Sequence, residues 1–401
     1  MKIRSITCFY HPGSQPIEAI TGLAQHVAKF RNKFTSLGWD VQTTRLATVP
    51  FGLYTKPETA IQIISQIEAA AIENGFDYLS VGPARITHPI EYEIIPDILS
   101  STKNVFATGM LTHNHKGIST AAIKACAKII VKSATITVDG FSNLRFSASS
   151  KVRPFTPFFP AAYSYGSQPA FALAIEAADV AVGAFESSKT IAEGRVNMLA
   201  RLETAAKELN TPIQELNLRW EFPFKGFDFS LAPFPEDWCS LALAMENLGV
   251  QQIGMMGSLS AAAILAETLD RGTWRKTGFN GLMLPVLEDS RLASRSIDGS
   301  FSVKDLLMFS SVCGTGLDTV PLPGDITAER IEPLLMDIAA LSLRLDKPLT
   351  ARLMPVPGLK SGEMTQYDFE FFKNGKILDF PSAQLGKALS TSEWIEIRNR
   401  F

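Results

Sequence analysis

WDVQTTRLATVPFGLYTKPETAIQIISQIEAAAIENGFDYLSV, residues 39–81, holds one complete unit of the pattern that sets the fold. Trp39–Arg45 is a short run with β-branched residues, Pro57–Asn74 carries apolar side chains at helical spacing, and Asp77–Val81 returns to a compact apolar run. Strand, helix, strand at this spacing predicts a crossover unit and an α/β fold.

The same alternation extends in both directions. Further strands are expected at Ile3–Phe9, Val105–Met110, Leu144–Ser147, Glu215–Glu221, Val250–Met255, Gly281–Val286, Gly316–Pro321 and Thr350–Met354, which brings the total to ten. Helices are expected at Ile17–Phe34, Ser119–Lys132, Pro169–Val182, Lys189–Leu209, Trp238–Leu248, Ser258–Arg271 and Ala328–Leu343. Repetition of this kind predicts parallel strands joined by right-handed crossovers and covered by helices. Such a sheet is apolar on both faces, and the composition agrees: of 401 residues, 46% are apolar and 19% charged, against roughly 25% charged in an average domain.

The balance of 38 basic and 40 acidic residues leaves a net charge of -2, which offers no basic footprint for nucleic acid or an anionic membrane surface. Cys8, Cys126, Cys239 and Cys313 lie far apart with no paired metal-ligand spacing, so neither a disulfide framework nor a zinc site is expected. The first residues read as a strand rather than a signal peptide, and no stretch reaches the ~20 apolar residues of a membrane span. These features predict a cytoplasmic protein.

Two segments break the rhythm. FSASSKVRPFTPFFPAAYSYG, residues 146–166, sets Pro154, Pro157 and Pro160 among aromatics; proline forbids a regular helix or central strand there, and so apolar a loop is expected to pack against the protein or over a cavity. Asn374-Gly375 between Tyr367–Phe372 and Lys376–Phe380 predicts a tight β-hairpin, an appendage available for a homodimer.

Phosphate-loop, dinucleotide, nucleophile-elbow and zinc-protease fingerprints are absent. The chemistry-bearing residues instead lie at strand ends, where parallel sheets place ligands. After the strand ending near Glu221 come Asp228 and Ser230, with Glu236-Asp237 suited either to a site or to the start of a helix. Gly254–Ser260 is a glycine-bearing turn in which Gly257 and Ser258 serve either an anion or a helix cap. Glu288 and Asp289 follow an apolar strand, and because successive residues of an extended chain point oppositely, one of the two is expected to face a site. Cys313 precedes a Gly-Thr-Gly turn, a flexible and exposed context, although an isolated cysteine also serves as a small apolar group, and Asp318 and Asp325 bracket a run that reads as a buried strand. His113 and His115, two residues apart, fall on one side of an extended chain, a spacing that permits a divalent metal; His11 ends the first strand and His88 lies in the segment Pro83–Pro89, so both are placed to reach a central cavity. Arg352 is a charge inside an apolar strand and requires a carboxylate or an anionic ligand.

Lys2–Thr7, Ser80–Ala84, Thr156–Tyr163, Asp228–Pro233, Pro285–Asp289, Cys313–Asp318 with Pro323-Gly324-Asp325, and Arg352 with Pro355–Gly358, taken in this order, resemble the conserved family called domain of unknown function seven-one-one, over nearly the whole chain. The resemblance implies a ten-stranded β/α barrel similar to the pyruvate formate-lyase-like fold of glycyl radical enzymes. In those enzymes a cysteine on a loop through the barrel faces a radical-bearing glycine, which makes Cys313 the counterpart. The radical consensus is missing, Gly358 and Gly362 are poor substitutes for it, and no radical chemistry is expected. The sequence thus predicts one barrel over residues 1–360 with a hairpin and tail at 361–401. In its cavity Asp228, Glu288, Asp318, Asp325 and Cys313 would serve acid–base or metal-assisted chemistry on a small molecule, with Arg352, Ser230, Gly257, Ser258 and His113 binding it. The competing reading is a metabolite-binding or regulatory protein on the same scaffold.

Overall fold

The computed structural model describes residues 1–217 and 222–399. Its strands are β1 (Lys2–Tyr10), β2 (Val41–Thr48), β3 (Tyr78–Ala84), β4 (Val105–Met110), β5 (Thr112–His113), β6 (Gly117–Ser119), β7 (Phe146–Ser150), β8 (Ala170–Glu176), β9 (Phe224–Asp228), β10 (Gly316–Pro323), β11 (Leu349–Val356) and β12 (Trp394–Ile395). Nine of them form one sheet in the order β10-β11-β7-β4-β3-β2-β1-β8-β9, while β12, β6 and β5 form a small antiparallel sheet.

The large sheet is mixed, which corrects the all-parallel expectation. β1, β2, β3, β4 and β7 run parallel, whereas β8 is antiparallel to β1 and β11 antiparallel to β7. One outer pair, β8–β9, and the other, β10–β11, are each internally parallel. The helices are α1 (Ala19–Ser36), α2 (Ala60–Glu73), α3 (Pro89–Ser101), α4 (Thr120–Ala134), α5 (Ala178–Glu186), α6 (Ile191–Asn217), α7 (Leu241–Asn247), α8 (Ser258–Asp270), α9 (Ser290–Asp298), α10 (Val303–Phe309) and α11 (Ala328–Leu345). Their apolar faces join alternate strand residues, such as Phe30, Ile64, Ile98 and Ile123 with Ile6, Leu46 and Leu79, in one continuous core.

The other face of the sheet is filled by the proline-rich loop. Thr7 Oγ1 donates to the Pro157 carbonyl at 2.9 Å, and Ser80 Oγ donates to the carbonyls of Pro160 and Ala162. Phe159 and Ala162 pack with Phe9, Ala47 and Phe106 from β1, β2 and β4. The loop therefore packs against the sheet and, as described below, walls a cavity, as its composition implies.

Several expected elements differ. Residues 170–176, expected as part of a helix, form β8 because a fully buried apolar run satisfies either period and here lies between β1 and β9. Residues 215–217 of an expected strand end α6, and residues 218–221 of it lie outside the described residues. Val250–Met255 is a turn bounded by Gly249, Gly254 and Gly257 at positive φ. Gly281–Val286, the eighth of the ten expected strands, has no ladder among the described residues: it touches the chain beyond β9 through the single bridge Leu231–Leu282 and β10 through Pro285–Asp318.

The expected hairpin is also rearranged. Lys376 bridges Met364 rather than the 367–372 run, and the Asn374 side chain closes the intervening loop by accepting from Thr365 Oγ1 and the Tyr367 amide. Neither Asn374 nor Gly375 adopts positive φ; a Cβ at Gly375 would instead stand 2.7 Å from Ser296 Oγ. Tyr367, Phe372, Ile377 and Leu287 share a buried cluster with Met354, so the segment packs into its own chain instead of projecting from it.

Candidate functional site

The strand pleat that sends Ile6, Leu46, Leu79 and Leu353 toward the helices sends Arg4, Thr43, Arg45, Tyr78, Ser147, Thr350 and Arg352 to the opposite face. An irregularity in the β1–β8 register between Ile3 and Ser5 accompanies the placement of Arg4 on that inner face. Together they line a narrow cavity of about 90 Å³. Phe158, Phe159, Pro160 and Ala161 of the proline-rich loop form another wall, and Phe369 and Phe371 from the C-terminal segment complete the lining.

Three guanidinium groups and three carboxylates organise the cavity. Glu288, at the end of the 281–286 segment, is gripped at 2.7 Å by Arg4 Nη2 through one oxygen and at 2.7 Å by Arg352 Nη2 through the other. Arg352 Nε also donates to Asp318 on β10 at 2.5 Å, and Arg4 Nη1 donates at 3.0 Å to Glu176 on β8. Gln42 on β2 donates to the same Glu176 oxygen. Burial opposes the charge of Arg4 and of Arg352, but Glu288 with Glu176 and Asp318 with Glu288 more than offset it, so both stay above the ordinary arginine range. Burial raises the Glu176 and Asp318 carboxyls despite the neighbouring guanidinium groups, and the charge of Glu288 raises Asp318 further.

Arg45 is the exception. Its residue is 8% exposed, its Nε donates to Thr43 Oγ1 at 2.9 Å, and its guanidinium lies 5.1 Å and 5.7 Å from the ring centres of Phe159 and Tyr78. Among the described residues no carboxylate stands within 4 Å of it. Burial, reinforced by the charge of Arg4, pushes its pKa down to about 9, which leaves it cationic at neutral pH. Ser147 Oγ, also buried in the cavity wall, has no hydrogen-bond partner among the described residues. A cation without a counter-ion and a hydroxyl without a hydrogen-bond partner in one cavity are the groups that an anionic ligand would satisfy.

Of the residues expected at the site, Glu288, Asp318 and Arg352 meet in the cavity. Glu288 faces inward, while Asp289 caps α9 and accepts from Ser240 Oγ and the amides of Ala242, Arg291 and Leu292, as the alternation of an extended chain predicts. Asp228 and Ser230 stand apart from it. The Asp228 carboxylate is fully buried and accepts from the Ser230 hydroxyl and amide and from the amides of Phe279 and Asn280. Burial raises its pKa to about 6 against these four donors.

Cys313 is buried near Thr315 in the main core, Asp325 is exposed beyond β10, and Gly257 with Ser258 starts α8, Ser258 Oγ bonding within its own turn. His113 lines a different cleft. Among the described residues no three His, Cys, Asp or Glu side chains are grouped as metal ligands.

The model of the family described as "Uncharacterised ACR (DUF711)" matches residues 1–373. The chain belongs to that family. It is 26% identical to the "UPF0210 protein" of Pyrobaculum islandicum over 352 residues, covering 82% of this chain and 76% of that one. It is also 26% identical to the "UPF0210 protein" of Clostridium botulinum strain Alaska E43 over 373 residues, covering 87% and 82%. The matched stretch includes every cavity-lining residue, among them Phe369 and Phe371.

Sequence reasoning missed Arg4, Arg45, Glu176, Gln42 and Tyr78. The signal was present, because Arg4 and Arg45 are charges inside apolar strands in the same way as Arg352, and Thr43 with Arg45 and Thr350 with Arg352 repeat one polar period of two.

Proposed function

We propose that the chain binds a small organic anion in the arginine-lined cavity and acts on it by acid–base chemistry. The observation that carries this reading is Arg45, a buried cation held between two aromatic rings with no carboxylate beside it. An engineered cavity of about 150 Å³ admits benzene, so about 90 Å³ suits an anion of only a few heavy atoms. Arg45 would take the ligand's charge and Ser147 would supply a neutral hydrogen bond. Asp318, whose carboxyl is raised by burial and by Glu288, would carry the proton transfer.

The alternative reading, a metabolite-binding protein without catalysis, is favoured by one feature: Glu288 and Asp318 are both already held by guanidinium groups. The bridged contact of residues 281–286 with both outer strand pairs supports a barrel-like enclosure of the kind that the pyruvate formate-lyase-like resemblance implies. The buried, unpaired thiols fit a cytoplasmic setting. The 367–380 segment is spent on its own chain, so no dimer is proposed on it.

Calorimetric titration with two- to four-carbon carboxylates tests the reading. Saturable binding that Arg45→Met weakens at least tenfold is expected, with proton uptake on binding that Asp318→Asn removes. Equal affinity in the Arg45→Met protein would overturn the assignment, and proton uptake unchanged in Asp318→Asn would leave only the binding reading.

A further inference from the structure

A second, larger cleft of about 800 Å³ lies on the far side of the proline-rich loop. It sits at the C-terminal ends of β3, β4 and β7, three neighbouring parallel strands, and the chain following each of them brings basic groups to it. After β3 comes Arg85; after β4 come His113 and His115; after β7 come Lys151 and Arg153. Two of these cations are already neutralised, because Glu91 accepts from Arg85 Nε and from the Arg85 amide, each at 2.7 Å, and Asp346 pairs with Lys151. Arg153 and the two imidazoles have no carboxylate within 4 Å among the described residues.

The histidine tautomer is set locally. The His115 amide donates to His113 Nδ1 at 3.1 Å, so a neutral His113 ring carries its proton on Nε2 and offers it as a donor. Lys151 is held at φ 54°, a left-handed conformation that costs a side-chain-bearing residue energy and that clusters at ligand sites. Tyr165, 51% exposed, stands edge-on to the buried Tyr163 and lines the same cleft as these donors.

We infer that this cleft binds a phosphate-bearing small molecule of nucleotide size, its phosphoryl oxygens on Arg153, His113 and His115 and its organic part against Tyr165. The volume is within the range of about 300–1,000 Å³ usual for such ligands, and several converging donors from separate loops match a group with several oxyanions rather than a lone carboxylate. The inference is independent of the reading of the central cavity. Ala161 lines both spaces, so ligands in the two would be separated by a single layer of chain.

Inorganic tripolyphosphate titrated into the full chain is the test. Saturable binding is expected, weakened at least tenfold by the pair Arg153→Ala and His113→Ala and unchanged by Arg45→Met. Because Arg153 is exposed, Arg153→Glu alone gives the same readout if the double variant does not fold. No saturable binding, equal affinity in the cleft variants, or loss of binding in Arg45→Met, which would put the ion in the central cavity, would each overturn the inference.

Discussion

Asp228 ends β9 and Asp318 is the third residue of β10, and both follow the same sequence logic of an acid near the margin of a buried strand. Their surroundings are opposite. Asp228 is enclosed by the amide and hydroxyl of Ser230 and by the amides of Phe279 and Asn280, the latter two tying β9 to residues 279–280, and every one of its contacts is spent on holding the chain. Asp318 meets a guanidinium on one side and a cavity on the other, with its side chain 22% exposed. A carboxylate surrounded by fixed amides is a structural fastener, whereas one sharing its counter-ion with another acid beside empty space can exchange partners and protons.

The strongest way to break this contrast is to remove Glu288, which joins Arg4 and Arg352. Glu288→Ala leaves two buried guanidinium groups under-compensated and is expected to destabilise the protein by about 3–5 kcal/mol, read by urea unfolding; a loss below about 1 kcal/mol would mean that the network is effectively solvated.

The next effect concerns Asp228 and pH. Its folded pKa of about 6 lies above the ordinary 3.8, so the native state binds the proton more tightly than the unfolded chain. The stability tied to this group is therefore complete below pH ~4 and is lost as pH rises through ~6. The advantage of the wild type over Asp228→Asn should shrink by about 2 kcal/mol between pH 4 and 7, taking 1.36 kcal/mol per unit; a difference independent of pH would refute this.

The smallest effect is the most telling for the cavity. Arg45→Met removes a buried charge that has no ion partner and should stabilise the unliganded protein by about 1 kcal/mol in the same unfolding assay. A loss of stability would show that the rings of Phe159 and Tyr78 and the Thr43 contact already satisfy the cation.

The helices were the more legible half of the fold, because α1, α2, α4, α8 and α11 each have one apolar stripe and punctuated ends. The strands were less so. The fully buried β8 carries the same apolar run that an alanine-rich helix would, and the antiparallel junctions β1–β8 and β7–β11 join segments far apart in sequence, which no local period reports. At the site, Arg352 and the division of labour between Glu288 and Asp289 could be read from single strands. That Asp228 is fastened by amides depends on residues 279–280 arriving from fifty positions away, and Arg45 becomes exceptional only once every carboxylate near it has been placed.

Residues 281–286 touch both outer margins of the nine-stranded sheet, Leu282 reaching the chain beyond β9 and Pro285 reaching β10. A strand margin left bare is a template on which another chain can add by backbone pairing, the first step of aggregation. Lying between the two margins and carrying Pro285, which cannot donate to a ladder, this segment shields them from such growth while withholding a pairing register of its own. Two residues on, the same stretch delivers Glu288 to the cavity, so colloidal safety and the charge network are tied to one run, residues 281–288.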